Sequence, residues 1–408
     1  MPLPALRSVD AYPIQGEGKT YVCLSDPSGV ATEQVVLNPL AYYVATMLTG
    51  IAGADDIAAE CTRTYSSIRI SPVEIGDLVQ QLDAKGFLQT ARFDARRTRF
   101  LADFRRATTR AAHFAGLSYP ADPAELANFL DGQFTRDGGP GPLPPRPGGG
   151  EPLRGLVVPH IDYHRGGHTY AHGYRRMYQH GVPGTVFVFG VAHNAQPVPF
   201  ILTRKHFETP LGLVETDAAI MDRLEASCGW DPYEHEWVQR TEHSIEFHAI
   251  MLAHLYGPKV KIVPILCSMF SADPTMNDPS REPGVVRFLD ACRDTVANGS
   301  GGFSVIASAD MAHVGKRFGD RFDIDEAAIA RIAARDNEDL VQVETMSPGP
   351  FYASVMKDLN RRRVCGINCI YATLRTLEGT ARRGERLHYD YAHDPAGGIV
   401  SFASAALV

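Results

Sequence analysis

The chain has 408 residues, long enough for two or three domains, and 44% hydrophobic against 21% charged residues is the balance of an ordinary globular protein. A formal charge of −7 and a pI near 6.1 argue against nucleic acid or an anionic membrane as partner. No apolar stretch approaches the roughly eighteen residues of a membrane span, and the N-terminus has no basic segment leading into an apolar one. The seven cysteines are scattered and form no CxxC pair, which predicts reduced thiols and a cytoplasmic location.

In chain order, Tyr21 to Gly29 reads as a short strand running into a turn. Three helical patterns follow, from Pro39, from Ala54 and from Ser71, the last with Ser71 as N-cap, Pro72 at the first helical position and Glu74 at the third. Asp83 to Thr90 reads as a turn into a wing strand. Residues 1–105 are therefore expected to form a small α+β winged-helix-like module, resembling the peptide-binding domains of the PqqD type as much as DNA-binding ones. Charge favours a peptide or protein partner for it: between residues 30 and 90, Glu33, Asp55, Asp56, Glu60, Glu74, Asp77 and Asp83 face only Arg63, Arg69 and Lys85. The arginine-rich stretch 92–110 is read as a solvated linking helix.

A new unit opens near Ala115, with a helix through Phe134 and a Gly/Pro-rich loop from Gly138 to Gly150. From Gly155 apolar strands alternate with helical segments, which predicts an α/β fold with a central sheet flanked by helices. The candidate strands are Leu156–Val158, Val186–Val191, Val260–Leu266 and Phe303–Ala307, closed by Gly398–Val408.

Reactive side chains gather just past these strands, where open α/β sheets place their sites. His160, Asp162, His164 and His168 follow the first, His193 the second, and Asp310 with His313 the fourth. Imidazoles converging from strand ends suit iron, copper or zinc. His243 and Glu246 are three apart at a helix start, so Glu246 is expected to hold an imidazole in one tautomer, while His248 points elsewhere. Cys365 follows Arg361, Arg362 and Arg363 at the start of a helix from Ile367, a setting expected to favour its thiolate. Cys369 and the remaining cysteines are read as structural. GxGxxG, P-loop and GxSxG motifs are absent, which lowers nucleotide binding and serine hydrolysis.

The order of these motifs resembles the Memo family, which includes the Memo-like protein of the AmmeMemoRadiSam group. Pro159-His160-Ile161-Asp162-Tyr163 is similar to its PHAGY, and Gly190-Val191-Ala192-His193 to its GxSHH. Glu242 to His248 is similar to its EHSIExH, Ser308 to His313 to its SSDFxH, Val364-Cys365-Gly366 to its ICG, and Gly116 to Pro123 to its opening GSWYPAD. The resemblance covers residues 111–408 and leaves 1–105 outside. It implies a fold similar to the class III extradiol dioxygenases, with His160, His193 and Cys365 as metal ligands and Asp310 and His313 lining the pocket, His313 as acid/base. A thiolate in the set implies Fe(II) or Cu more than Zn. The implied activity is that of an oxygenase or oxidase on a small organic or peptide substrate, with a non-catalytic metal-binding scaffold as the alternative. The sequence departs from the family at Asp162, His164 and His168, where Asp162 or His164 is a candidate extra ligand or base, and at Asn194, which replaces a second imidazole.

Overall fold

The computed structural model describes residues 1–16, 18–65, 69–299 and 302–408, and the chain divides into two compact units, Met1–Arg106 and Ala107–Val408.

In the first unit β1 (Asp10–Gly16) and β2 (Lys19–Ser25) pair antiparallel, and β3 (Val35–Leu37) adds to β2. Four helices follow: α1 (Pro39–Thr46), α2 (Ala54–Thr64), α3 (Pro72–Lys85) and α4 (Ala91–Arg106). The Ser71/Glu74 capping box starts α3, and Gly86, at φ 86°, ends it in the left-handed conformation. Leu24, Val44, Ile57, Ile75, Leu82 and Phe87 form the buried core. The expected wing strand is a single bridge between Leu88 and Leu6. Thr90 Oγ1 already accepts the Phe93 N–H (3.3 Å), so the stretch expected to extend turns straight into α4. That helix is the solvated one the arginines suggest, with only Phe93 buried.

The second unit begins with β4 (Thr109–Arg110) and α5 (Pro123–Thr135), which Asp122 caps. Then come β5 (Gly155–Val158), α6 (Tyr163–Tyr178), β6 (Thr185–Val191), β7 (Phe200–Leu202), β8 (His206–Thr209) and β9 (Gly212–Val214). After α7 (Ala218–Ser227) and α8 (His243–Tyr256) the chain forms β10 (Lys261–Cys267), α9 (Pro283–Asn298), β11 (Phe303–Ser308) and β12 (Asp310–Val314). It closes with α10 (Glu326–Glu344), α11 (Pro348–Met356), α12 (Ile367–Thr376), β13 (Gly384–Asp394) and β14 (Gly398–Leu407).

The main sheet runs β12-β14-β5-β11-β6-β10-β7, with β13 also on β14, and β4, β8 and β9 form a small separate sheet. Its centre, β5-β11-β6-β10, is parallel, and the flanking strands are antiparallel. The parallel strands are buried almost throughout, as strands covered on both faces must be. Alternate residues serve opposite layers. Val157, Phe187, Phe189 and Val305 pack with Leu224 of α7, Phe288 of α9 and Leu374 of α12. Leu156, Val158, Val186, Val188 and Ile306 pack with Leu130 of α5, Tyr170 of α6 and Ile250 of α8. The unit is a mixed α/β fold in three layers, and its parallel strands all end toward one edge.

Candidate metal centre

Three strand ends and one helix start meet at that edge. Pro159 ends β5 and delivers His160, whose relative exposure is 1%. The backbone N–H groups of His160 (2.9 Å) and Ile161 (3.1 Å) both donate to Asp310 Oδ1, joining the end of β5 to the start of β12. Ser308, the last residue of β11, donates its hydroxyl hydrogen to the Ser244 carbonyl (2.6 Å). Having only one hydrogen to give, it accepts at 3.1 Å from His160 Nδ1–H. His160 Nε2 is thereby left as a lone pair. It lies 3.2 Å from Cys365 Sγ and 3.6 Å from Asp310 Oδ2.

Two residues beyond β6, His193 is wired in the same way. The Glu242 carboxylate accepts from the His193 backbone N–H (2.9 Å) and from Nδ1 (3.0 Å). Glu242 is the N-cap of α8 and also accepts the Ser244 N–H (3.0 Å), while Ser244 Oγ donates to the Val191 carbonyl (2.9 Å). The helix start is thus pinned to the strand end. Gly190 makes the approach feasible, because a Cβ there would meet Ile245 Cγ1 at 2.5 Å and Ser244 Oγ at 2.7 Å. His243, the first residue of α8, stacks on His193 with ring centroids 4.7 Å apart. On the other side, Gly366 lies so close to the junction of β11 and β12 that a Cβ would meet Ala309 Cβ at 2.2 Å, which brings Cys365 against His160.

Among the described residues, two groups have donor atoms near enough to share a metal ion: His160 with His193 and His243, and His160 with Asp310 and Cys365. His160 belongs to both. Burial and the neighbouring imidazoles push His160 well below the usual histidine range, so it is neutral and ready to donate its lone pair. Burial opposes charge on His193, but the Glu242 carboxylate overrides it and holds the ring protonated well above that range. Burial likewise opposes charge on Glu242, yet His193 keeps it ionised. Burial lowers His243 and raises Asp310.

A cavity of about 340 Å³ opens onto this cluster, with Phe114, Phe247 and Phe318 among its apolar walls and His313, Arg165 and Arg317 among its polar ones. His313 Nδ1–H donates to the Arg363 carbonyl (3.1 Å), leaving Nε2 as a lone pair, and burial lowers its proton affinity.

The structure brings together His160, His193, Cys365, Asp310 and His313. It does not bring Glu246 to the imidazoles. That carboxylate is buried against Arg110 and the Tyr119 hydroxyl and accepts the backbone N–H groups of His113 (3.1 Å) and Phe114 (2.9 Å). The role expected of Glu246 belongs to Glu242, which sequence reasoning passed over. Its signal was present: a carboxylate directly before a helix is an N-cap, and an N-cap side chain turns back over the helix start. Asp162 caps α6 and binds Arg165 Nε at 2.6 Å, so it lines the cavity wall without entering either group. His164 is exposed beside Phe129, and His168 Nε2 bonds Asp390 (2.7 Å). His248, pointing elsewhere as its spacing implied, bonds the Tyr174 hydroxyl (2.8 Å).

The expected thiolate at Cys365 is corrected. Burial pushes the thiol up to about 11, and His193 only partly opposes this. The arginines that were to stabilise it are engaged elsewhere, Arg362 with Asp336 and Asp339 and Arg363 with Asp320.

Fold and site together define an α/β protein with a partly buried histidine–cysteine–carboxylate cluster at the strand ends. A family model for the Memo-like protein matches residues 110–406, and the chain belongs to the Memo family. A MEMO1 family protein of Aquifex aeolicus is 24% identical over 402 residues, 98% of each chain, so that relative spans the N-terminal unit too. One from Methanopyrus kandleri is 30% identical over 292 residues, 71% of this chain and 94% of that one. A solved structure of an uncharacterized protein from Escherichia coli K12 superposes at a TM-score of 0.36 with 14% identity, covering 62% of this chain and 99% of that one.

Proposed function

We propose that this chain is a metal-dependent redox protein that holds iron(II) or copper through His160, His193 and Cys365 and acts on a small organic or peptide substrate in the adjoining cavity. The observation that carries this reading is the hydrogen bonding behind the ligands. Ser308 occupies Nδ1 of His160 and Glu242 occupies Nδ1 of His193, so both rings bind through Nε2, His193 once it gives up the second proton that Glu242 stabilises. That arrangement orients metal-bound imidazoles and sharpens their basicity. Nitrogen, nitrogen and sulfur donors favour iron or copper over hard cations, and the thiol donor sits 3.2 Å from His160 Nε2. His243 and Asp310 stand at hand for a further position.

Bound iron or copper would supply one-electron chemistry and an open coordination position. The chain's own residues do the rest. His313, neutral with Nε2 as a lone pair, takes a proton from substrate. Asp310 holds the backbone of His160 and Ile161 in place, and Phe114, Phe247 and Phe318 shield the substrate from water. For the N-terminal unit we propose recruitment of a peptide or protein partner, supported by its acidic 30–90 stretch and by a groove lined by Tyr43, Met47, Ala52, Ala59 and Glu60. Seven unpaired cysteines support a reducing compartment such as the cytoplasm. No helix among the described residues is long and apolar enough to cross a membrane.

The test is elemental analysis of anaerobically purified protein beside His193→Ala and Cys365→Ala. Near-stoichiometric iron or copper, lost in both variants, is expected, followed by oxygen uptake in the presence of substrate. Zinc instead would favour metal-assisted hydrolysis. No metal after anaerobic reconstitution would leave the scaffold alternative in its place.

A further inference from the structure

A second cavity in the same unit, of about 420 Å³, shares no lining residue with the first. Val314, Ala328 and Ile332 form a buried apolar floor, and Phe322 stands 48% exposed at its side. Four arginines, Arg331, Arg335, Arg361 and Arg362, line the same space. Two are engaged: Arg335 with Glu338 and the Ser354 carbonyl, and Arg362 with the buried carboxylates of Asp336 and Asp339. Even so, the nine-tenths buried Arg362 leaves its Nε–H without a partner among the described residues. That N–H is itself closed off from solvent, so the cavity offers ligands the exposed guanidinium groups instead. The guanidinium groups of Arg331 and Arg361 have neither ion pair nor hydrogen bond among the described residues. The nearby acids do not neutralise them by pairing: Asp320 accepts two N–H groups of Arg363 (2.9 and 3.0 Å), and Asp358 accepts the Arg361 backbone N–H (3.2 Å).

From two unpaired guanidinium groups and an apolar wall within a single cavity, we propose that this is a ligand site for a phosphoryl group carried on an apolar, planar body. Arginine matches phosphoryl oxygens with paired, charge-assisted donors, and a dianion answers two free cations better than a monoanion does. Phe322 and the floor take the organic part. The proposal uses neither the metal nor the first cavity, and it stands or falls independently of the redox reading.

The experiment is calorimetric titration of the full-length protein with phenyl phosphate, beside inorganic phosphate and benzoate. We expect one equivalent of phenyl phosphate to bind at least tenfold tighter than either comparison ligand. Arg331→Gln and Arg361→Gln, both at exposed positions, are each expected to weaken it about tenfold or more, with unchanged thermal melts, while Arg317→Gln in the first cavity leaves it unaltered. Benzoate binding as tightly as phenyl phosphate would overturn the phosphoryl assignment, and inorganic phosphate doing so would overturn the role of the apolar wall. Loss of binding in Arg317→Gln, undiminished binding in both cavity variants, or no binding by the unmodified protein would overturn the site itself.

Discussion

The two glutamates that bracket the start of α8 give the sharpest test of how the site is held. Glu242 accepts three N–H groups, two from His193 and one from Ser244. Glutamine in its place keeps one acceptor oxygen and turns an NH2 group toward a donor. Loss of a carboxylate that orients a metal-bound imidazole typically costs 10–100-fold in metal affinity, or about 1.4–2.7 kcal/mol. Glu242→Gln is therefore expected to weaken metal binding by that factor. Glu246→Gln removes the partner of Arg110, and both side chains are almost fully buried. An unpaired buried charge costs about 3–5 kcal/mol of folding stability, but the network reaches the site only through the Arg110 bond to the Glu242 backbone carbonyl (2.6 Å) and touches no ligand atom. Its folded form should bind metal within about threefold of the unmodified protein. The assay is anaerobic competition against a chromophoric chelator, with urea denaturation of the same samples. If Glu246→Gln lost metal affinity while Glu242→Gln kept it, the assignment of roles would be reversed and the wiring argument refuted.

Metal binding must also displace the proton of Cys365, whose thiol is pushed up to about 11 by burial. Because Glu242 also keeps His193 protonated, two protons leave on binding, so apparent affinity should rise by up to about a hundredfold per pH unit between pH 6 and 8, and a flat profile would exclude the thiolate as ligand. Gly366→Ala places a methyl 2.2 Å from Ala309 Cβ, so the Cys365 loop must shift. At least a tenfold loss of metal affinity is expected, and normal affinity in a folded variant would contradict the close-approach argument. His248 is lowered to about 3 by burial, with a smaller contribution from His243, whereas an unfolded histidine titrates near 6.5. Below about pH 6.5 the unfolded chain takes up a proton that the folded chain refuses, so this contribution to stability is complete above that pH and is lost on acidification. His248→Gln should flatten stability against pH by about 1.4 kcal/mol per unit between pH 4 and 6; an unchanged slope in urea titrations would count against it.

What could be read from the sequence follows from which interactions are local. The parallel strands were legible because burial on both faces makes each a continuous apolar run, and the residues just beyond them, His160, His193, Asp310 and His313, were legible for the same reason. β13 was not: its sequence GERLHYDYAHD is half-exposed and polar, and what makes it a strand is its long antiparallel register with β14. The wing failed at a boundary that one threonine cap decides. Glu246 and Cys365 mislead in a more instructive way. Helical spacing placed Glu246 on the face of His243, but spacing does not reveal that Arg110, more than a hundred residues earlier, claims the carboxylate. Three arginines before Cys365 promised a thiolate, but Asp320, Asp336 and Asp339 take the two nearest guanidinium groups and burial takes the rest. In both cases the local pattern named the right chemistry and a distant charge decided where it went. The imidazoles obey the same rule: their positions past the strands were legible, but the partners that set their protons, Ser308 for His160 and Glu242 for His193, come from other strands and helices and were not.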